Sequence, residues 1–254
     1  MNDGRKHLAI YGGLDEGARP VVREQVAEAL TAGADPATVI DVVGRGVDAQ
    51  WLALEELDFP GEAAPACRAG CSWCCAQRVE LTTWEVVRLS RALGSHPERD
   101  RLEARIRGVA DATRSFDAAM WRSTPTPCAL LDDAGRCSVY EARPLACRRA
   151  HSIDASACEA ARRDPASAGP IPRNATLAWN LASLVIGALE GYAHGGHAPH
   201  HHELHAALRI ALDDPDFEAR LGAGEDALAP ARSTDASSLP KLLGEASPPA
   251  DEAS

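Results

Sequence analysis

The stretch Cys67-Arg-Ala-Gly-Cys71-Ser-Trp-Cys74-Cys75 carries four cysteines in the spacing C-x3-C-x2-C-C. The chain has eight cysteines, and the other four follow in one later block, as Cys128, Cys137, Cys147 and Cys158. Cysteines a few residues apart on a turn can bring their sulfurs to one metal ion, and Gly70 permits a tight turn there. We therefore predict that all eight cysteines are metal ligands, and that the rest of the chain is a scaffold joining the two blocks.

Cys74 and Cys75 are adjacent, which limits how they can share a site. In a strand their side chains point to opposite faces, and in a helix they diverge by about 100°. Either the pair serves two neighbouring sites, or one of the two is a spare, redox-active thiol. Eight cysteines suffice for two four-thiolate sites, or for one site with catalytic or structural thiols left over.

The cofactor predicted from these cysteines is zinc or an iron–sulfur cluster such as [4Fe-4S]. Four thiolates around either centre leave a local charge of about −2, which must be offset or solvated. Arg143, Arg148 and Arg149 flank Cys147. They are candidates for that offset, the alternative being solvated surface charges.

Composition favours a mainly α-helical protein. Of the 254 residues, 45% are hydrophobic but only 4% are aromatic, and alanine supplies much of the apolar content. This favours helices packed through small and aliphatic side chains. The formal charge of −11, with no basic run, argues against nucleic acid as a partner.

No stretch of sequence predicts a signal peptide or a membrane span. Residues 1–7 carry charge, but no apolar segment follows them. The most apolar segment, Leu177 to Leu189, is shorter than the roughly 20 residues that a span needs. We therefore expect a soluble, cytoplasmic protein without a membrane partner. In that compartment clustered cysteines are more often metal or redox centres than disulfides.

Apolar periodicity and capping signals predict helices on both sides of the cysteines. Asp35-Pro36 begins one helix, Thr82-Thr83-Trp84-Glu85 has the capping-box pattern of another, and Asp154 is a predicted cap of a short helix carrying Cys158. The predicted helical segments are 19–30, 36–57, 82–93, one through Leu102 and Phe116, 174–192, and two pieces in 202–222 separated at Asp214-Pro215.

The expected organisation is a helical protein with an irregular, loop-rich metal lobe coordinated by cysteines. Residues 123–150 show little periodicity, and the turn Asp132-Asp133-Ala134-Gly135 predicts one small hairpin. We expect four parts: an N-terminal helical segment (1–60), the cysteine-cluster metal-binding domain (61–160), C-terminal helices (161–227) and a disordered tail (228–254).

The cysteine motifs resemble a known family. After the first block come Pro127-Cys128 and then Cys137-Ser-Val-Tyr140-Glu-Ala-Arg143-Pro144-Leu-Ala-Cys147-Arg148. Together these are similar to the YkgJ-type cysteine-cluster family, a zinc- or iron-chelating domain, over roughly residues 65–160. The resemblance implies metal binding, with the first seven cysteines at matching positions and Cys158 as a later member of the set. The resemblance does not decide between zinc and iron, and it implies no particular reaction.

Two enzyme readings stand as alternatives to a structural metal site. Flagellin lysine methylase shares the cysteine cluster, but this chain looks too short for that enzyme's additional regions. Cys67-x3-Cys71-x-Trp73-Cys74 also fits the radical S-adenosylmethionine signature, which belongs just after the first strand of a parallel barrel. A helical segment precedes Cys67 instead, and no βα units follow. Whether the protein is an enzyme is left open: a structural centre closes over every cysteine, whereas a redox protein or enzyme keeps one iron or thiol accessible.

Histidines offer further candidates. Six of the nine lie between His194 and His205. His201 and His205 would share a helix face at i and i+4, a spacing able to bind zinc, although a polar loop between helices is the alternative. His151, four residues after Cys147, is a candidate replacement ligand or a hydrogen-bond donor to a sulfur.

Overall fold

The computed structural model describes residues 18–56, 63–197 and 200–233. These residues form ten α-helices and two short strands. The helices are α1 (Ala18–Thr31), α2 (Pro36–Glu56), α3 (Thr83–Gly94), α4 (Arg99–Ala112), α5 (Ala118–Ser123), α6 (Leu145–Arg149), α7 (Ala155–Arg163), α8 (Ala175–His194), α9 (Leu204–Asp213) and α10 (Phe217–Gly222). The strands are β1 (Glu80–Thr82) and β2 (His201–Glu203). The predicted mainly α class is therefore confirmed.

Local sequence signals explain where several helices begin. The side chain of Asp35 accepts a hydrogen bond from the Thr38 amide before α2, at 3.1 Å. Thr82 and Glu85 form the predicted capping box of α3. Asp154 caps α7, and Asn174 accepts from the Leu177 amide at the start of α8. Each cap satisfies amide groups that a helix leaves without internal partners.

One hydrophobic core is built from the first two helices and α8. Helix α8 packs along α1 and against α2. The apolar face predicted for this helix is buried, from Leu177 through Leu181 and Leu184 to Leu189. Leu145, at the start of α6, belongs to the same core. The segment just before Cys147 is therefore attached to helices that lie far from it in sequence.

A second core lies between α3, α4 and α9. Leu89, Leu93 and Ile106 are completely buried in it. The half-buried side chains of Cys128 and Cys137 pack against this core. The cysteine-bearing segments thus rest on both cores, and Trp84 contacts the two of them.

The two strands pair antiparallel, with Leu81 opposite His202. The described residues contain no other named strands, so the parallel barrel required by the radical S-adenosylmethionine reading is not found in them. An isolated antiparallel bridge joins Leu131 to Cys137 across the turn at 132–135, which confirms the small hairpin predicted there.

The structure describes the first six residues of the segment expected to form a disordered tail. Leu228 and Ala231 are buried there. The Ser233 amide donates a hydrogen bond to the His201 carbonyl at 2.8 Å, which attaches this segment to β2. The remaining residues of the expected tail, 234–254, lie outside the described residues, as do 1–17 and 57–62. None of the described helices is both long enough and apolar enough to cross a membrane.

Candidate metal centre

The first cysteine block forms a tight turn followed by one turn of 3-10 helix, Trp73–Ala76. The Cys71 amide donates to the Arg68 carbonyl at 2.9 Å, and Gly70 has a φ of +82°. This left-handed conformation is readily adopted only by glycine, as the sequence predicts. The turn and the 3-10 helix together present the four sulfurs of the block from one short segment.

The second block docks directly on the first. The Cys128 amide donates to the Cys75 carbonyl at 2.7 Å, and the Thr126 amide donates to the Ala76 carbonyl at 3.2 Å. At the hairpin, a Cβ on Gly135 would lie 3.4 Å from the Gly70 carbonyl oxygen. Main-chain contacts therefore fix the 128–137 segment beside the first turn, independently of any bound metal.

Cys147 lies on α6, and a buried carboxylate holds the start of this helix. Glu85 accepts a hydrogen bond from the Leu145 amide at 2.6 Å through one oxygen, and from the Thr82 amide at 2.7 Å through the other. The same side chain therefore caps α3 and attaches α6 to it. The position of Cys147 depends on a residue that lies 60 positions away from Leu145.

Cys158 is carried on α7, which packs against the 3-10 helix of the first block. Nearby, the Ala66 amide donates to the Ser152 carbonyl at 2.8 Å, and the Cys67 sulfur lies 4.0 Å from that same oxygen. The chain just before Cys67 and the chain just before α7 therefore run side by side. This places the first and the last cysteine in one neighbourhood.

Electrostatic coupling divides the thiols into two groups. Burial raises the pKa of Cys67, and the nearby thiols of Cys71, Cys74 and Cys158 raise it further. Burial also raises the pKa of Cys147, and the thiols of Cys128, Cys137 and Cys74 raise it further. We therefore define group 1 (Cys67, Cys71, Cys74 and Cys158) and group 2 (Cys75, Cys128, Cys137 and Cys147), with Cys74 acting on both.

Cys74 and Cys75 join the two groups through a hydrogen bond between their side chains. This bond lowers the pKa of Cys74 to about 7, because it stabilises the thiolate. The same bond raises the pKa of Cys75, and burial raises it further, together with the charges of Cys74, Cys147 and Cys128. Cys74 therefore gives up a proton more readily than its neighbour.

The donor chemistry suits a thiophilic metal, but the arrangement is not that of a closed site. In the part of the chain that the structure describes, no three cysteine, histidine, aspartate or glutamate side chains are placed so that they could hold one metal ion. All eight cysteines are free thiols. A metal bound to either group would have to draw its sulfurs closer together. The assignment of the eight cysteines as ligands stays a prediction.

The arginines flanking Cys147 have specific partners. Arg148 is buried and donates to the carbonyls of Arg143, at 2.9 Å, and Glu141, and to the Asp48 carboxylate. Arg143 also donates to Asp48, at 2.7 Å. Their charges lower the pKa of Cys137, although burial dominates and raises it to about 11. Besides any effect on the sulfurs, Arg143 and Arg148 fasten this segment to α2.

The His151 ring is held by backbone oxygens and by an aromatic neighbour. Its Nδ1 lies 3.0 Å from the Arg149 carbonyl oxygen, and its Nε2 lies 3.2 Å from that of Asn174. The buried ring packs edge-on against Trp51, with centroids 5.5 Å apart. Because both nitrogens face backbone oxygens, this side chain is not directed at the cysteine sulfurs.

The histidine-rich segment differs from the expected helix face or polar loop. His201 lies in β2 whereas His205 lies in α9, so the two do not share a helix face. His205 is 2% exposed, and its Nε2 accepts a hydrogen bond from the amide of Ala129, next to Cys128, at 3.2 Å. Spacing within the segment gave no indication of this contact, because it depends on packing between distant parts of the chain.

Residues 66–164 match the model of the CxxCxxCC family, whose description is "putative zinc- or iron-chelating domain". The resemblance deduced from the cysteine motifs is therefore confirmed for this part of the chain, and metal binding is the function that the match supports. The matched segment contains all eight cysteines. Among the curated proteins and the solved structures, no match to the chain was found.

Proposed function

We propose, taking residues 66–164 as a member of that metal-chelating family, that the protein binds metal in two adjacent thiolate centres. Group 1 forms the first centre and group 2 forms the second. The observation that carries this proposal is the division of the eight thiols into two groups of four, each drawn from both cysteine blocks. Four thiolates are the ligand set of structural zinc sites and of [4Fe-4S] clusters.

The adjacent pair Cys74 and Cys75 supports two centres rather than one. Cys74 raises the pKa of Cys67 in group 1 and also that of Cys147, whereas the pKa of Cys75 is raised by Cys147 and Cys128 of group 2. The hydrogen bond between the two thiols places them side by side, where they can serve adjoining centres. The centres would therefore be near neighbours that can influence each other electrostatically.

The environment suits a centre that assembles when metal binds. Burial raises the pKa of Cys137 and Cys147, so these thiols hold their protons in the absence of metal. Binding of Zn²⁺ or of an iron–sulfur cluster displaces such protons, and its free energy adds to that of folding. A cytoplasmic location, where thiols stay reduced, remains part of the proposal.

The experiment compares metal and acid-labile sulfide contents in protein purified without oxygen and without a His-tag. We expect about two zinc ions per chain, or about eight iron and eight sulfide ions for two [4Fe-4S] clusters. Cys158→Ser and Cys128→Ser should each remove about half of the bound metal, because each disables one centre. The double variant should bind almost none.

Ser72→Ala is the matched control, because it lies between Cys71 and Trp73 in the same turn but removes no thiol. It should retain the full metal content. Wild-type protein that binds no metal would refute the proposal. A single serine substitution that removes all of the metal from a protein that stays folded would refute the division into two centres.

A further inference from the structure

Glu203 and His205 form a buried pair beside group 2 that lies outside the matched segment. Glu203 is 9% exposed and His205 is 2% exposed. The Nε2 of His205 accepts a hydrogen bond at 3.2 Å from the amide of Ala129, the residue after Cys128, and the Cys128 thiol acts electrostatically on the imidazole. An imidazole from the C-terminal helices thus lies beside a proposed ligand.

The Glu203 carboxylate determines which nitrogen of the His205 ring carries the proton and which carries the lone pair. His205 Nδ1 lies 2.9 Å from Glu203 Oε1, and the other carboxylate oxygen accepts from the Ala206 amide at 2.8 Å. A carboxylate next to Nδ1 favours a proton on that nitrogen, which makes Nε2 the acceptor nitrogen of the ring. The hydrogen bond from the Ala129 amide agrees, because it needs an acceptor at Nε2. A metal ion bound at Nε2 would take the place of this amide hydrogen bond, because the nitrogen has a single lone pair.

The surrounding backbone holds the pair rigidly. Glu203 is the last residue of β2, and its partner across the sheet is Glu80. The Leu204 amide then donates to the Val79 carbonyl at 3.0 Å. Val79 follows the first cysteine block by four residues. Rigid placement of a donor before the metal arrives lowers the ordering cost of binding.

We propose that His205, oriented by Glu203, is a nitrogen ligand of the metal centre that contains Cys128. Metal-binding histidines usually donate their second N–H to a carboxylate or a carbonyl, which fixes the tautomer and the ring orientation. Cys3His is a common ligand set for zinc. The inference rests on the proposed function, because it assigns a further ligand to one of the two proposed centres.

A histidine ligand changes how many thiols of group 2 the metal can bind. Group 2 together with His205 supplies five donors, one more than a tetrahedral metal needs. One thiol of group 2 is then not bound to the metal. The second centre would differ from the first, which has thiols alone, and the two should be distinguishable by spectroscopy.

The test uses Zn²⁺ added to the full-length apoprotein without oxygen, followed by zinc-edge X-ray absorption. We expect a nitrogen neighbour at about 2.0–2.1 Å besides sulfur at about 2.3 Å. His205→Ala should lose the nitrogen neighbour and weaken zinc binding at one of the two centres at least tenfold. Glu203→Gln should keep the nitrogen but weaken zinc at that same centre by about 10–100-fold, as other losses of an outer partner do.

His194→Ala is the control, because this histidine is exposed at the end of α8 and should leave both affinities unchanged. Two zinc ions with sulfur neighbours alone in the wild type would overturn the inference but leave the proposed function intact. So would unchanged zinc affinity in a folded His205→Ala protein. A wild type that binds no zinc or iron would instead refute the proposed function itself. The wild-type spectrum decides the matter even if His205→Ala fails to fold.

Discussion

At the scale of single residues, Glu85 shows how one buried side chain connects the fold to the cysteines. Its two oxygens accept amide hydrogen bonds at the starts of two different helices, from Thr82 before α3 and from Leu145 in α6. The residue is 4% exposed, so neither amide would find water if the carboxylate were removed. The capping-box pattern predicts the first of these bonds. The second depends on where α6 lies and has no local signal.

His202 is a second buried residue whose state depends on its surroundings. It is fully buried, its Nε2 lies 3.0 Å from Thr83 Oγ1, and its Nδ1 has no hydrogen-bond partner. Burial lowers its pKa to about 4. The charged or titratable groups that also act on it are Arg232, His200 and His201, which lower the pKa, and Asp226, which raises it.

This depressed pKa predicts a specific loss of stability in acid. The folded protein keeps His202 neutral, whereas the unfolded chain takes up a proton below pH 6.5. The contribution of neutral His202 to the free energy of unfolding is therefore complete above pH 6.5. It falls as the pH drops toward about 4 and stays constant below that. The total loss from this residue is on the order of 3 kcal/mol. Urea unfolding of wild type and His202→Gln across this pH range measures it.

The difference in unfolding free energy between wild type and His202→Gln should shrink or reverse as the pH falls. His194→Gln serves as the matched control, since that histidine is exposed and should give a constant difference. Parallel stability curves for wild type and His202→Gln would contradict the prediction. They would mean that His202 takes up its proton equally in the folded and unfolded states.

At the scale of elements, α8 approaches α1 so closely that only glycine fits at the contact. A Cβ on Gly187 would lie 2.5 Å from the Arg19 carbonyl oxygen, and a Cβ on Gly191 would lie 2.7 Å from that of Arg23. These positions are four residues apart, so they share one helix face. The helix accepts the lower helix propensity of glycine because close backbone approach improves packing.

Gly187→Ala is therefore expected to destabilise the protein by about 1–3 kcal/mol, since the added methyl group overlaps backbone atoms that cannot move aside. Gly46→Ala is the matched control: this glycine lies inside α2, and a Cβ there would meet nothing within 4 Å. It should stabilise by about 0.5–1 kcal/mol, because alanine favours the helix and restricts the unfolded chain. Thermal and urea unfolding measure both. Equal effects of the two substitutions would show that α1 does not approach α8 as described.

At the scale of the whole molecule, the cysteine-bearing segments lie between two apolar cores, and the segment from Cys128 to Cys137 contributes Ala129 and Leu130 to one of them. The core around α1, α2 and α8 is mainly aliphatic, and so is the core around α3, α4 and α9. The segments from Cys67 to Ala76 and from Cys128 to Cys137 contain little regular structure of their own. Their order relies on turns, main-chain docking and, in our proposal, bound metal.

Removing the metal should therefore loosen the cysteine lobe selectively. With a chelator, or a reductant plus chelator for an iron–sulfur centre, amide hydrogen exchange should rise in residues 66–76, 126–137 and 155–163 by tenfold or more. Exchange in α8 should change little, because its hydrogen bonds are internal and its face is buried. Hydrogen exchange followed by mass spectrometry makes the comparison. Uniform loss of protection in lobe and helices would contradict it, and would mean that metal holds the entire fold together.

Much of the element structure could be predicted from local sequence. Asp35-Pro36, the Thr82–Glu85 capping box and Asp154 each indicate a helix start that the structure has, because caps act within a few residues. The break at Asp214-Pro215 separates α9 from α10 as expected. Helices α5 and α6 and strands β1 and β2 were not foreseen, since such short elements have too few positions to show a period.

The sequence by itself determined the family segment, the helical class and the presence of clustered thiols, since these follow from composition, short-range periodicity and motif spacing. Only the tertiary structure decided which thiols are neighbours, that His151 faces carbonyl oxygens, and that His205 approaches Cys128. Cys67 and Cys158 are brought together by the packing of α7 on the first block, and Cys128 meets His205 through the packing of α9. Such contacts depend on the relative positions of elements that lie far apart in the chain, which no local spacing encodes.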